Sequence, residues 1–234
     1  MDVGQEPTDP GAALVIDLEY FTEQRQSAEE ILAGTSAHVA RQCRVPAAIR
    51  LVPTLDAPVR ERVLALGDEV FGPGGEVFDR RALDEVADDP DALFLVLELD
   101  GRIEGTCFGY YEQPGNEVVD GTEFFIDSAL VAPRWQRHRV GWLAAAAILL
   151  LVAELGDVRR VGIAVWSGGD VEGLLSLYRR FGFADATSRR VPYPCLAVTL
   201  LPERVDGWRA LLGLPPADAG ATAAAADRPS RPGP

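Results

Sequence analysis

The sequence has no lysine: all 22 of its basic residues are arginine, set against 36 acids. That leaves a formal net charge of -14, which argues against a nucleic-acid partner, whose affinity comes largely from neutralised phosphates. The same negative field attracts cations and is compatible with a cationic, amine-bearing substrate. Without lysine, the glycines of "WSGGD" (166–170) cannot be read as a nucleotide-phosphate loop. Histidine is nearly absent too, with two residues, and cysteine has three. Cys43, Cys107 and Cys195 form no CxxC pair, so neither a metal site nor a disulfide framework is expected; buried thiols in a reducing cytoplasm are the plain reading. His38 and His138 have no identifiable serine or acid at triad-like positions, which argues against nucleophilic hydrolysis. The longest apolar run, Val140 to Ala153, is shorter than the ~20 residues of a straight membrane span. The opening "MDVGQEPTDPGAAL" is acidic and proline-bearing where a secretory leader is basic and then apolar. A cytoplasmic location with no membrane partner is expected.

What is present has a globular balance, with 47% hydrophobic and 25% charged residues in 234. Residues 1–46 read as an extension, disordered over 1–11 and helical from Glu23 to Gln42. Residues 47–203 carry regular patterning. "AIRLVP" reads as a strand, and "APVRERVLALGDEVFG" as a helix stopped by Gly72 and the glycines beyond it. A short helix fits "RRALDEVADD". "ALFLVLELDGRIEGTCFGYYEQ" reads as two strands turning at Asp100-Gly101, and "TEFFIDSALVAP" as a fourth strand. Then come a helix over Val140–Leu155, a strand in "VRRVGIAVW", a helix in "VEGLLSLYRRFG" closed by Gly182, and a last hairpin from "ADATSRRVPY" and "CLAVTLLP". Residues 204–234 hold a short helix near Trp208 and a low-complexity tail that reads as disordered. The order specifies an α/β domain with a mixed sheet.

Two stretches carry a resemblance. "VAPRWQRHRVG" follows V-x-P-x-x-[Arg/Gln]-x-x-Gly-x-[Gly/Ala], and "LYRRFGF" follows L-Y-x-x-x-G-F. With the element order, they make the chain over roughly Ile49 to Pro202 similar to the GNAT acyltransferase superfamily. The resemblance implies a mixed, mostly antiparallel central sheet flanked by helices. It also implies that residues 136–141 bind the pyrophosphate of coenzyme A at a helix N-terminus, where unpaired N–H groups and a partial positive charge suit phosphate. Gln136 takes the Arg/Gln position and Gly141 the last Gly/Ala position. Arg139 replaces the glycine between them, and Arg137 stands where glycine is frequent. Arg137, His138 and Arg139, with Val140 at the helix start, either meet phosphate with side chains or, at Arg139, fill the cleft. A carrier-protein donor, with one phosphate on its pantetheine arm, is a third reading. The bland reading is a set of solvated arginines at a strand–helix junction.

The resemblance further implies direct attack of an amine on a thioester. Backbone N–H groups near Leu130 and Val131 would meet the acyl carbonyl, and Tyr178 would protonate the departing thiolate. Tyr178 could equally be a packed tyrosine beside Leu174 and Leu175. Asp127 is the candidate base or amine anchor, against a solvent-facing acid at a strand end. Glu123 is the second choice, on the same side by alternation. Glu112 and Tyr110 are placed beside an acceptor pocket. Where the family has an asparagine seven residues before the tyrosine, position 171 is valine, with Ser167 and Asp170 nearby. The expected function is transfer of an acyl group, acetyl first among them, from acetyl-CoA or another acyl-CoA. No metal takes part, and the acceptor is a primary amine of a cationic small molecule or peptide. A homodimer stays open. The alternative from another class is a catalytically silent GNAT-like binding domain, with Glu23–Gln42 as a docking element.

Overall fold

The computed structural model describes residues 18–52, 55–72, 83–84, 92–156, 158–165 and 170–216, without the side chains of 18–26, 137 and 155. Its centre is a hairpin. Strands β2 (Ala92–Leu99) and β3 (Arg102–Tyr111) turn at Asp100 and Gly101, both left-handed at φ 51 and φ 74. That pair of angles belongs to the two-residue turn whose twist matches the strands it joins. Strand β1 (Ala47–Leu51) lies antiparallel on β2, and β4 (Phe124–Val131) antiparallel on β3. Beyond β4 come β5 (Arg160–Ala164), β7 (Cys195–Thr199) and β6 (Ala184–Ala186), in the order β1-β2-β3-β4-β5-β7-β6. Among the described strands, only β4 and β5 run parallel. The sheet is therefore mixed and mostly antiparallel, as the resemblance implies.

Each face of the sheet is covered for a legible reason. Helix α2 (Ala57–Phe71) starts where the Asp56 carboxylate accepts from the Val59 N–H at 2.9 Å, with proline in the first turn. It buries Val63 and Leu66 against Phe94, Val96, Phe108 and Leu130. On the other face, helix α3 (Val140–Leu155) is buried at every residue from Leu143 to Val152. A helix apolar all round needs cover on every side. Helix α1 (Leu18–Cys43) and helix α5 (Pro202–Leu212) supply it. Ile31 and Val39 of α1, and Trp208 and Leu212 of α5, share one cluster with α3 and the sheet residues Leu95, Leu97, Cys107, Phe124 and Ile126. Arg209, 5% exposed, closes this layer by donating to Glu154 of α3 and the Pro215 carbonyl. No described helix is long and apolar enough to cross a membrane.

Helix α1 does a second job. The outer edge of β1 presents an unpaired N–H at Ile49, and Ser36 of α1 accepts it at 2.8 Å, so this sheet edge is covered rather than left as a template for pairing. The short helix expected over 80–89 falls mostly outside the described residues, and 1–17 and 217–234 lie wholly outside them.

One irregularity decides the geometry of the site. The β3–β4 register shifts between Phe108, opposite Ser128, and Gly109, opposite Ile126. Asp127 is the extra residue, a bulge that bends β4. Gly109 is required there for space: a Cβ would lie 2.3 Å from the Phe125 carbonyl oxygen and 2.6 Å from the Phe124 ring. Gly109→Ala is expected to destabilise the fold by about 1–3 kcal/mol, the range for overpacking. The shift in the urea midpoint checks it, and an unchanged midpoint would mean the bulge tolerates a methyl group.

Candidate active site

The bulge opens the sheet. β4 pairs with β5 only at Phe124, Phe125 and Ile126, opposite Val161, Gly162 and Ile163. From Asp127 onward, no described strand pairs with β4 on its β5 side. The Ala132 N–H donates to the Glu104 carbonyl at 2.8 Å, so by strand alternation Leu130 also turns its polar groups to β3, while Ala129 and Val131 turn theirs to the gap. Of the two backbones expected at an acyl carbonyl, Val131 alone has an N–H facing the opening. Leu130 spends its own on the β3 ladder. The Val131 carbonyl accepts from Gln136 Nε2 at 3.1 Å.

Asp127 sits where the strands part. Solvent reaches its surface, yet most of the volume around it is protein, and that burial pushes its carboxyl up to about 6. The second choice, Glu123, stands just before β4 at its paired end; its exposed carboxylate accepts from the Arg159 N–H. Glu112 is likewise engaged, accepting from the Val118 N–H and the Thr122 hydroxyl, with burial raising its carboxyl. Tyr110 packs its ring on Phe125 at 5.7 Å.

Tyr178 comes from helix α4 (Val171–Arg180), which begins where Asp170 accepts from the Gly173 N–H at 2.9 Å. Asp170, noted only as a neighbour of the missing asparagine, is thus the helix cap. At the other end Gly182 takes φ 90, and the Phe183 N–H returns to the Tyr178 carbonyl at 3.2 Å. That reversal sets the Phe183 ring edge-on to Tyr178, centroids 5.6 Å apart, which is why tyrosine, glycine and the last phenylalanine keep fixed spacing. Burial raises the Tyr178 phenol well above its ordinary value, and Cys107 in its charged form adds to the rise. Cys107 is itself pushed up to about 12 by burial. Both groups are held protonated, and no described residue hydrogen-bonds the Tyr178 hydroxyl. Phe181, at the end of α4, meets Trp142 in the first turn of α3 with centroids at 3.8 Å. This contact brings the tyrosine's helix to the start of α3.

Between β4 and α3 the chain makes a 3-10 turn, Pro133–His138. Arg139 then takes φ 58, ψ 14 and leads into α3 with no side-chain cap and no acid in the first turn. The first helical bond runs from the Leu143 N–H to the Arg139 carbonyl at 3.2 Å, so the N–H groups of Val140, Gly141 and Trp142 have no cap. Such a terminus is suited to phosphate. The left-handed angle at Arg139 is the one glycine adopts most readily. Arg139 thus adopts a backbone conformation that a glycine would take without strain. The arginine stands exposed with no acid paired to it among the described residues. Gly141 leaves the approach open, since a Cβ there would reach only Val131, at 3.4 Å.

The other basic residues of this turn differ in kind. Arg134 is bound to the buried carboxylate of Glu104. The His138 ring lies edge-on to Trp135, centroids 5.3 Å apart, with Nδ1 buried and unpartnered. The Arg137 side chain is outside the described set. A cleft of about 550 Å³ between α2 and the β2–β3 turn is lined by Arg50, Arg62, Glu69, Glu98 and Arg102. It is a poor rival, because Arg50 and Arg62 are already paired with Glu98 and Glu69.

The sheet is mixed and opens at its parallel pair, beside the uncapped start of α3 and the protonated Tyr178. The model of the acetyltransferase (GNAT) family matches residues 63–183, and the chain belongs to that family. Helices α1 and α5 lie outside the match. The fold is similar to that of a GNAT-family acetyltransferase from Desulfovibrio desulfuricans, at 17% identity and a TM-score of 0.53 over 66% of this chain and 99% of the other. It is also similar to an acetyltransferase from Thermus thermophilus, at 20% identity and 0.51 over 65% and 97%, and to the GNAT domain of PAT from S. lividans, at 15% and 0.52 over 66% and 90%. No curated protein matches the sequence.

The Asp127 carboxyl has a higher pKa folded, about 6, than its ordinary 3.8. The folded state therefore holds that proton more tightly. The resulting stability is full below about pH 4 and lost as pH rises through about 6. Asp127→Asn is expected to be more stable than the parent at about pH 8, with the difference closing below about pH 4. Urea unfolding across that range measures it; a constant difference would place the carboxyl in ordinary solvent.

Proposed function

We propose that the protein transfers an acyl group, acetyl first among them, from a coenzyme A thioester to a primary amine by direct attack. The observation that carries this reading is the gap that opens at Asp127 between β4 and β5, flanked by the uncapped start of α3. The donor's pyrophosphate would lie on the N–H groups of Val140, Gly141 and Trp142. Arg139 adds a guanidinium suited to phosphate, and Arg137 and His138 belong to the same turn. Gln136, tied to Val131, holds the turn to the strand. When bound, the donor supplies a thioester carbonyl and a thiolate leaving group.

The chain's own groups do the rest. The Val131 N–H faces the gap and stabilises negative charge on a carbonyl oxygen placed there. Asp127, ionised at neutral pH, accepts the amine's proton directly or through water. Tyr178, held protonated by burial, donates to the leaving sulfur. Glu123 and Glu112 are occupied elsewhere and are not needed for either proton. The acceptor we favour is a cationic amine, small molecule or peptide, drawn by the field of a chain with net charge -14. Residues 47–203 form the acyltransferase unit on this reading, with the segments at either end as its extensions.

Steady-state assays with acetyl-CoA and a panel of polyamines and peptide amines test the proposal. Tyr178→Phe is expected to lower kcat by roughly a hundredfold with little change in donor KM. Asp127→Asn should abolish the acidic limb of the kcat/KM profile near pH 6. Calorimetry with coenzyme A separates the roles of Arg139: weaker binding by Arg139→Gly means it grips phosphate, and tighter binding means it obstructs. The absence of product with every amine, from both coenzyme A and carrier-protein donors, would sink the reading.

A further inference from the structure

Among the described residues, Glu104 is the one fully buried acid, a placement that stability alone does not favour. It lies on β3, 1% exposed, with its side chain against the α2 face of the sheet. A buried ion pair offers little net stability over apolar residues of the same shape, because desolvation takes back most of the attraction. What such a pair does offer is a defined position.

The partners of Glu104 all bear on the turn after β4. Its backbone carbonyl accepts from the Ala132 N–H at 2.8 Å, and Ala132 in turn accepts from the Trp135 N–H at 2.8 Å. Its Oε1 accepts from Arg134, whose own side chain is 54% exposed and reaches inward from the turn. Its Oε2 has no hydrogen bond and has Arg62 of α2 at 3.8 Å. Arg62 is itself fixed, donating to the Ile103 carbonyl at 2.8 Å and to Glu69 at 2.6 Å. The 3-10 turn is thus held at its N-cap, Ala132, and at its second residue, Arg134, by one strand residue, through backbone and side chain together. The turn's other anchors are the Gln136 bond to Val131 and the Trp135 ring, packed against both core clusters. Its Trp135 Nε1 and His138 Nδ1 are buried without partners, a cost in free energy that leaves the turn more dependent on the ties it does make.

We propose that Glu104 is a positioning residue for the donor-binding turn. Through Arg134 it sets the placement of the Arg139 guanidinium and the α3 N–H groups, and so sets affinity for the donor while touching neither donor nor acceptor. The proposal rests on the reading of residues 136–141 as the phosphate-binding turn. It explains why one arginine of the basic cluster points away from the anion it would otherwise bind: Arg134 is a tether, and Arg139 is the contact.

The test uses the full chain and the variants E104Q, R134Q and the double E104Q/R134Q. Two readouts are taken: hydrogen exchange of amides 133–142 without ligand, and coenzyme A binding by calorimetry, followed by donor KM and kcat. Each single variant is expected to speed exchange in the turn and weaken coenzyme A on the order of tenfold, about the loss of one charge-assisted contact. Donor KM should rise and kcat stay within about twofold. Because the residues act through one another, the double variant should lose no more than either single. It also leaves no unpaired buried charge, so it carries the test if a single variant does not fold. Unchanged exchange and unchanged coenzyme A affinity, with only a lowered Tm, would reduce Glu104 to a packing role and overturn the proposal. Losses that multiply in the double variant would also overturn it. A parent that never binds coenzyme A, although its turn loosens in E104Q, would defeat the donor reading and leave Glu104 an anchor without that function.

Discussion

A single extra residue in β4 sets the shape of everything that follows it. Up to Ile126, β4 is shared between β3 and β5; after Asp127 it follows β3 alone. The bulge is stabilised by an absence on the opposite strand, since Gly109 leaves the room that any Cβ would take from the Phe125 carbonyl. A parallel pair that stops after three residues leaves backbone groups of one strand facing a gap. In a folded interior, unpaired N–H groups are costly unless something occupies them. The gap has donors along one wall, and the start of α3 extends the same row of donors beyond the strand.

The arginines of this acidic chain divide by what lies behind them. Arg209 and Arg134 each serve a carboxylate with little or no access to water, Glu154 and Glu104, and both fix one segment against another. Arg139 has no carboxylate behind it among the described residues and stands at a helix start, where the backbone dipole disfavours a cation unless an anion is shared with it. Arg134 and Arg139 stand close together in sequence and look like one basic patch. What lies behind each makes them different devices.

The segments outside the family match are not appendages in packing terms. Helix α3 is so apolar that a sheet on one side cannot cover it, and α1 and α5 complete its burial. The same α1 caps the exposed edge of β1 through Ser36. The reach of the family fold over two thirds of the chain, and of the hydrophobic core over nearly all the described elements, are thus different quantities.

Local chemistry made much of the fold readable in one dimension. Asp100-Gly101 specifies its turn because both residues accept left-handed angles. Gly182 ends α4 and returns Phe183 to Tyr178. The unbroken apolar run of α3 demands burial on all sides. Each rests on interactions between near neighbours in the chain, so spacing alone reveals it, and the two motifs that pointed to acyl transfer are of this kind. The extra residue at Asp127 was not readable, because a bulge is a relation between two strands and alternation along one of them continues unbroken through it. The environment that raises the Asp127 carboxyl, the loss of Leu130 as a donor and the capture of Glu123 and Glu112 by other partners likewise depend on register. Glu104 and Arg134 lie 30 positions apart, and Arg209 and Glu154 55. Nothing in the spacing of such residues announces a pair; they meet only when strands and helices pack, and the charge buried between them then decides where the turn is held.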